Sequence, residues 1–201
     1  MALLGWMSLA CLPVKAETPA TRYIPLQLII GDTWNGEQSI TYPVGCFVEG
    51  VRDGAPSIWV GPKQWLHPKT GRTLTVYFRS RDGHNAADQI FAVRDDQVAI
   101  GRVADSRFGI TACDQEAKYP LGLWKQGESR TFENNCWFGD KVQAKVSVIT
   151  IQELDYTCDG HEHCLRVEWL LRDKGSTSYP LDHRVYVFAP NHGATRVYKA
   201  Q

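Results

Sequence analysis

Between Cys158 and Cys164 the chain reads CDGHEHC, two cysteines closed around an Asp, a Gly, a Glu and two histidines. His161 and His163 are two apart and share one face of an extended segment, with Asp159 and Glu162 beside them. That is the beginning of a zinc site. Zinc takes three or four protein ligands, so His84 in the loop RDGHNAAD, His67 or His183 would have to complete it. The HExxH spacing, which sets two ligands and a base on one helix face, is absent. The same residues also spell a hairpin tip. Asp-Gly is a strong turn pair because Gly accepts positive φ, and Cys158 and Cys164 leave such a turn at a separation that a disulfide can close. In this preferred reading the bridge staples a turn and the histidines face solvent. The metal-binding protein is the alternative.

Other chemistry is thinner. There is no GxSxG elbow to expose a serine and no Gly-rich loop to cradle a phosphate. Cys46 could act as a nucleophile beside a histidine base, but its likeness in context to Cys136 marks both as anchors of the fold. Asp95 and Asp96, in VRDDQV, read as solvated turn acids. In SIWVGPKQWLHP, Trp59 and Trp65 flank a Gly-Pro interruption, which leaves an indole free to stack on a sugar ring. These two are the candidate ligand-binding residues, with an envelope glycan or a protein as the partner. Burial of both in a core is the competing reading.

The elements that must carry these residues are strands. Alternating apolar positions in YIPLQLII, RTLTVYF, AKVSVITI, CLRVEWLL and HRVYVFA, broken by Gly, Pro, Asp and Asn, predict an all-β chain packed as a sandwich or a barrel-like pair of sheets. No segment reads as a helix. The chain also resembles itself. Trp34, Gly36-Glu37 and Cys46-Phe47 recur in order as Trp124, Gly127-Glu128 and Cys136-Trp137, and alternating triplets begin at Leu74 and Leu165, 28 and 29 residues after the two cysteines. Asp88 and Asp182 open matching later strands. This predicts an internal duplication, with each Trp and each aromatic after the cysteine in the core. The expected layout is a secretory leader over 1–16, an N-terminal strand and linker over 17–32, a first β repeat over 33–104, a connector over 105–121 and a second repeat over 122–201.

The leader rests on an apolar run that ends at Val14-Lys15-Ala16, too short for a bilayer-spanning helix, which needs about 20 apolar residues. It places the protein in the periplasm or outside the cell, with a lipid anchor through Cys11 as the lesser alternative. Six cysteines in an exported chain read as disulfide partners, and Cys113 is expected to pair with Cys136 while Cys46 stays reduced. Lys plus Arg and Asp plus Glu number 22 each, so there is no summed positive field for nucleic acid. The function these observations favour is a non-enzymatic binding or interaction module of the bacterial cell envelope. A zinc-binding protein comes second and a hydrolase third.

Overall fold

The computed structural model describes residues 20–31, 37–41, 56–80, 89–106, 109–178 and 180–200. The expected leader, Cys11, Trp34, Cys46, Phe47, His84 and Asp88 lie outside these residues. Strand β1 (Thr21–Ile24) is followed by a short helix α1 (Leu26–Ile30). A meander follows of β2 (Glu37–Thr41), β3 (Pro56–Leu66), β4 (Thr73–Ser80), β5 (Gln89–Val93) and β6 (Ala99–Asp105). Two short strands, β7 (Ala112–Cys113) and β8 (Glu116–Pro120), precede β9 (Gly122–Lys125), which pairs with β1. A second meander takes in β10 (Ser129–Phe138), β11 (Lys141–Cys158), β12 (His161–Asp173), β13 (Asp182–Ala189) and β14 (Gly193–Lys199). The chain is nearly all β, in three antiparallel sheets.

Period-two burial drives the assembly. On β12, Leu165, Val167, Trp169 and Leu171 all enter the main core while Arg166, Glu168 and Leu170 between them stay partly exposed. Trp59, Phe91, Ile100 and Tyr119 of the first six-stranded sheet meet Ile149, Val167, Trp169 and Phe188 of the second in that core. The two fully buried tryptophans satisfy their indole N–H groups locally: Trp124 donates to the Leu121 carbonyl at 2.8 Å and Trp169 to the Ala117 carbonyl at 3.0 Å. The Gly127-Glu128 pair makes a turn, with Gly127 at φ 79° and the Lys125 amide donating to Glu128 Oε2 at 2.8 Å.

Three departures from expectation have local causes. The helix α1 stands in an N-terminal segment expected to be extended throughout. Pro25 cannot donate to a ladder but fits at a helix start, and one turn lets the consecutive Leu28, Ile29 and Ile30 all be buried, which a strand exposed on one face could not do. Trp137 does not enter the core. It directly follows the fully buried Cys136 on β10, so alternation turns it to the other face, where it is half-buried. Finally, the stretch 105–121 holds two edge strands. β7 joins the second sheet beside β10, β8 joins the first beside β6, and the chain crosses between sheets in Asp114-Gln115. The crossing needs Gln115 at φ 48° and a glycine opposite, since a Cβ on Gly101 would lie 2.4 Å from the Gln115 carbonyl oxygen.

Candidate functional site

Where β7 and β8 change sheets, buried charge gathers. Arg102 on β6 donates from Nη1 to Asp105 Oδ2 at 2.9 Å and from Nη2 to Glu116 Oε1 at 2.5 Å, and Gln89 Nε2 donates to Asp105 Oδ2 at 2.6 Å. The guanidinium side chain is 4% exposed and both carboxylates 0%. Burial works against the charge on Arg102, but Glu116 and Asp105 together outweigh it and hold its pKa above the ordinary value. Cys113 lies directly across from Cys136 in the β7–β10 ladder, and the two are bridged. The other oxygen of Glu116, Oε2, lies 3.4 Å from Cys136 Sγ, and Asn134 Nδ2 lies 3.6 Å from the same sulfur. Residues from both sheets therefore converge on one disulfide.

A cleft opens on either side of this seam. One, of about 350 Å³, is lined by polar groups including His67, Arg72, Asp95, Asp114, Gln115 and Glu133. His67 is buried, with Nε2 3.1 Å from the Cys113 carbonyl oxygen and Nδ1 accepting the amides of Lys69 and Thr70. The indoles of Trp65 and Trp137 sit edge-on to the His67 ring, at centroid distances of 5.4 and 6.0 Å. Both tryptophans are half-buried, and among the described residues neither indole N–H has a partner, in contrast to Trp124 and Trp169. Arg72 donates to Asp95 at 2.9 Å, and this hydrogen bond is the chief reason that the Asp95 carboxyl lies below its ordinary pKa. The second cleft, of about 420 Å³, mixes Arg102, Lys145 and Asp173 with Phe138, Leu171 and Leu181. Its cations are already neutralised: Lys145 Nζ lies 2.5 Å from Asp173 Oδ1.

Of the two tryptophans expected to form a binding face, only Trp65 remains at the surface. Trp59 is 6% exposed and packs on Phe91, which removes it as a stacking platform. The two residues are an even number apart, so a regular strand would turn both the same way. A bulge between Val60 and Lys63 shifts the register, pairing Trp59 with Arg79 and Trp65 with Leu74. Arg79 stacks on Trp59 in the shared core, whereas Leu74 belongs to a separate cluster on the other face.

The CDGHEHC segment forms the β11–β12 hairpin. Asp159 and Gly160 take φ 47° and 81°, the two positive values of a type I′ turn, and Cys158 and Cys164 are bridged behind it. The histidines diverge. His163 has φ 60° and places Nδ1 2.5 Å from Asp155 Oδ1, while His161 packs on His192 with ring centroids 4.4 Å apart. The hydrogen bond from His163 is the main reason the Asp155 carboxyl lies below its ordinary pKa. Asp159 pairs with Arg196. His67 lies at the Cys113 seam, and His183 pairs with Glu168 at 2.5 Å, so neither joins His161 and His163. Among the described residues, the group that brings three ligating side chains together is Cys113, Glu116 and Cys136. Asp95 and Asp96 are exposed in the β5–β6 turn, paired with Arg72 and Arg94.

The residues that sequence reasoning missed are Arg102, Glu116, Asn134 and Trp137. A signal was present for two of them: Asn134 and Cys136 are two apart on one strand and share a face, and Glu116 is three residues from Cys113. The chain matches no family model, no curated protein and no solved structure.

Proposed function

We propose that this chain is an exported, non-enzymatic binding module of the cell envelope whose ligand is a saccharide held at the polar cleft. The observation that carries the reading is the pair of half-buried indoles, Trp65 from one sheet and Trp137 from the other, each edge-on to His67, which itself lines that cleft. A sugar presents C–H faces that stack on indoles and hydroxyls that exchange hydrogen bonds with planar polar side chains. Two disulfides favour an oxidising compartment, and among the described residues no helix is long and apolar enough to cross a membrane. The matching five-strand order of the two meanders supports, as part of the same reading, an origin by duplication.

Titration calorimetry with peptidoglycan fragments and envelope polysaccharides tests the proposal. Trp65→Leu and Trp137→Leu, which keep apolar bulk but remove the ring, should each weaken binding by about tenfold or more, as expected for a contact worth about 1.4–2 kcal/mol. The melting temperature should move by no more than about 4 °C, the equivalent of roughly 1 kcal/mol in a chain of this size. Binding that survives both substitutions and is lost in Phe138→Ala would move the site to the second cleft. No binding to any saccharide tested would defeat the reading.

A further inference from the structure

We propose that Cys113, Glu116, Asn134 and Cys136 form a redox-gated site for a thiophilic divalent cation of the zinc class, closed while the cysteines are bridged and open when they are reduced. The site borders the saccharide cleft, which Cys113 also lines, but the inference does not depend on a saccharide binding there.

The donor atoms of Cys113, Glu116 and Cys136 lie within 4.8 Å of one another, and all three residues are buried. In a tetrahedral site with bonds of about 2.0–2.3 Å, neighbouring donors stand roughly 3.3–3.8 Å apart. Glu116 Oε2 already stands 3.4 Å from Cys136 Sγ. The fourth donor is Asn134, whose amide lies 3.6 Å from the same sulfur and whose side-chain oxygen is buried without a hydrogen-bond partner. The residue is 6% exposed, and half a turn of its amide exchanges nitrogen for oxygen at the sulfur.

The bridged state leaves this arrangement unsatisfied. A disulfide sulfur carries no hydrogen, so Glu116 Oε2 faces an atom that cannot donate to it. Two buried oxygens, Glu116 Oε2 and Asn134 Oδ1, are thus without a donor beside one sulfur pair. Buried polar atoms are rarely left so, and each unmet group costs about 1–3 kcal/mol. A cation satisfies both oxygens.

Charge balance selects the kind of cation. With the bridge closed, Arg102, Asp105 and Glu116 sum to one negative charge. Reduction to two thiols leaves that sum unchanged. Binding a divalent ion with loss of both thiol protons to solvent leaves it unchanged again, which matters because a buried site tolerates little change in net charge. In the reduction itself the Cys113–Cys136 bond breaks, and a dithiol supplies two electrons and two protons and closes to its own disulfide. The bound ion would link β7 and β10 of one sheet to β8 of the other, whereas the disulfide ties strands of one sheet only.

The test is a cadmium titration of the full chain, oxidised and after reduction with a phosphine, which takes up oxygen from water as the bridge opens. The reduced chain should develop a thiolate-to-cadmium charge-transfer band saturating at one site, and zinc should raise its melting temperature. Cys113→Ser/Cys136→Ser, which keeps every other thiol, should lose both responses. Glu116→Gln should weaken binding by about 10–100-fold. Should that variant fail to fold, Asn134→Leu, which leaves the ion-pair cluster intact, should weaken binding in the same sense. The proposal is overturned if the reduced wild type and the double serine variant give the same band, if no band forms, or if cadmium binds equally well to the oxidised chain.

Discussion

Removing the positive charge at the centre of the buried cluster should be among the most damaging single substitutions in the described part of the molecule. Arg102→Met removes the guanidinium that bonds both Asp105 and Glu116, whose carboxylates are 0% exposed. Breaking one buried pair costs about 3–5 kcal/mol because the remaining charge is desolvated and uncompensated. That is a large share of a domain's roughly 5–15 kcal/mol, and at about 2–4 °C per kcal/mol it lowers the melting temperature by roughly 6–20 °C. Urea denaturation at neutral pH measures it directly. The compensated variant Arg102→Met/Asp105→Asn/Glu116→Gln separates lost charge balance from lost packing. It keeps an acceptor for the Gln89 amide, which bonds Asp105 at 2.6 Å, and should recover to within about 2 kcal/mol of the wild type.

A loss under about 1 kcal/mol at neutral pH would mean that water reaches the carboxylates and that the cluster is not a sealed ionic core.

Three further outcomes follow from the geometry. Gly101→Ala should destabilise by about 1–3 kcal/mol, seen as an earlier urea midpoint, because the new Cβ would meet the Gln115 carbonyl oxygen at 2.4 Å and backbone must shift. Cys158→Ser/Cys164→Ser, which opens a loop of sequence separation 6, should cost about 2 kcal/mol in the chain-entropy account. His161→Ala/His163→Ala should cost no more than about 1 kcal/mol, and zinc at micromolar concentration should not move the melting temperature of the oxidised protein; a shift abolished by the histidine substitutions would restore the hairpin as a metal site. Burial works to raise the pKa of Glu168, but hydrogen bonds from His183 and Gln152 outweigh it and hold it below the ordinary value. Its contribution is therefore complete above the unfolded value near 4.3 and lost as pH falls through the lowered folded value, so Glu168→Gln should destabilise at neutral pH and converge with the wild type as the pH falls below that unfolded value.

The strand content and the hairpin were legible because they rest on local rules. Alternation places Leu165, Val167 and Trp169 in the core, and Asp-Gly selects a type I′ turn. The facing of Trp59 and Trp65 was not legible. Each sits in an ordinary apolar context, and a register shift between Val60 and Lys63 decides which one reaches the surface. A bulge of this kind depends on how β3 fits the register of β4, which no window of β3 contains. The same reason explains His161 and His163. An extended segment would put them on one face, but the left-handed backbone at His163 sends them to Asp155 and His192.

Reactive side chains crowd in sequence at the Cys158–Cys164 hairpin tip, whereas buried charge and sulfur gather where strands change sheets. At a hairpin tip, neighbouring side chains splay into solvent and each takes its own partner, as Asp159 does with Arg196 and His163 with Asp155. At the β7–β8 crossing the opposite holds. Cys113 and Glu116 enter different sheets within four residues, and only an abrupt turn at Gln115, packed on a glycine, lets both point back towards Cys136. Arg102 then has to be there, because two carboxylates cannot be brought dry into the same place without a cation. The crossing thus requires the buried charge, and the buried charge lies against the sulfur pair. Arg102→Met should accordingly weaken cadmium binding by the reduced chain as well as its stability, since the guanidinium that holds Glu116 Oε1 at 2.5 Å is what leaves Oε2 aimed at the sulfur.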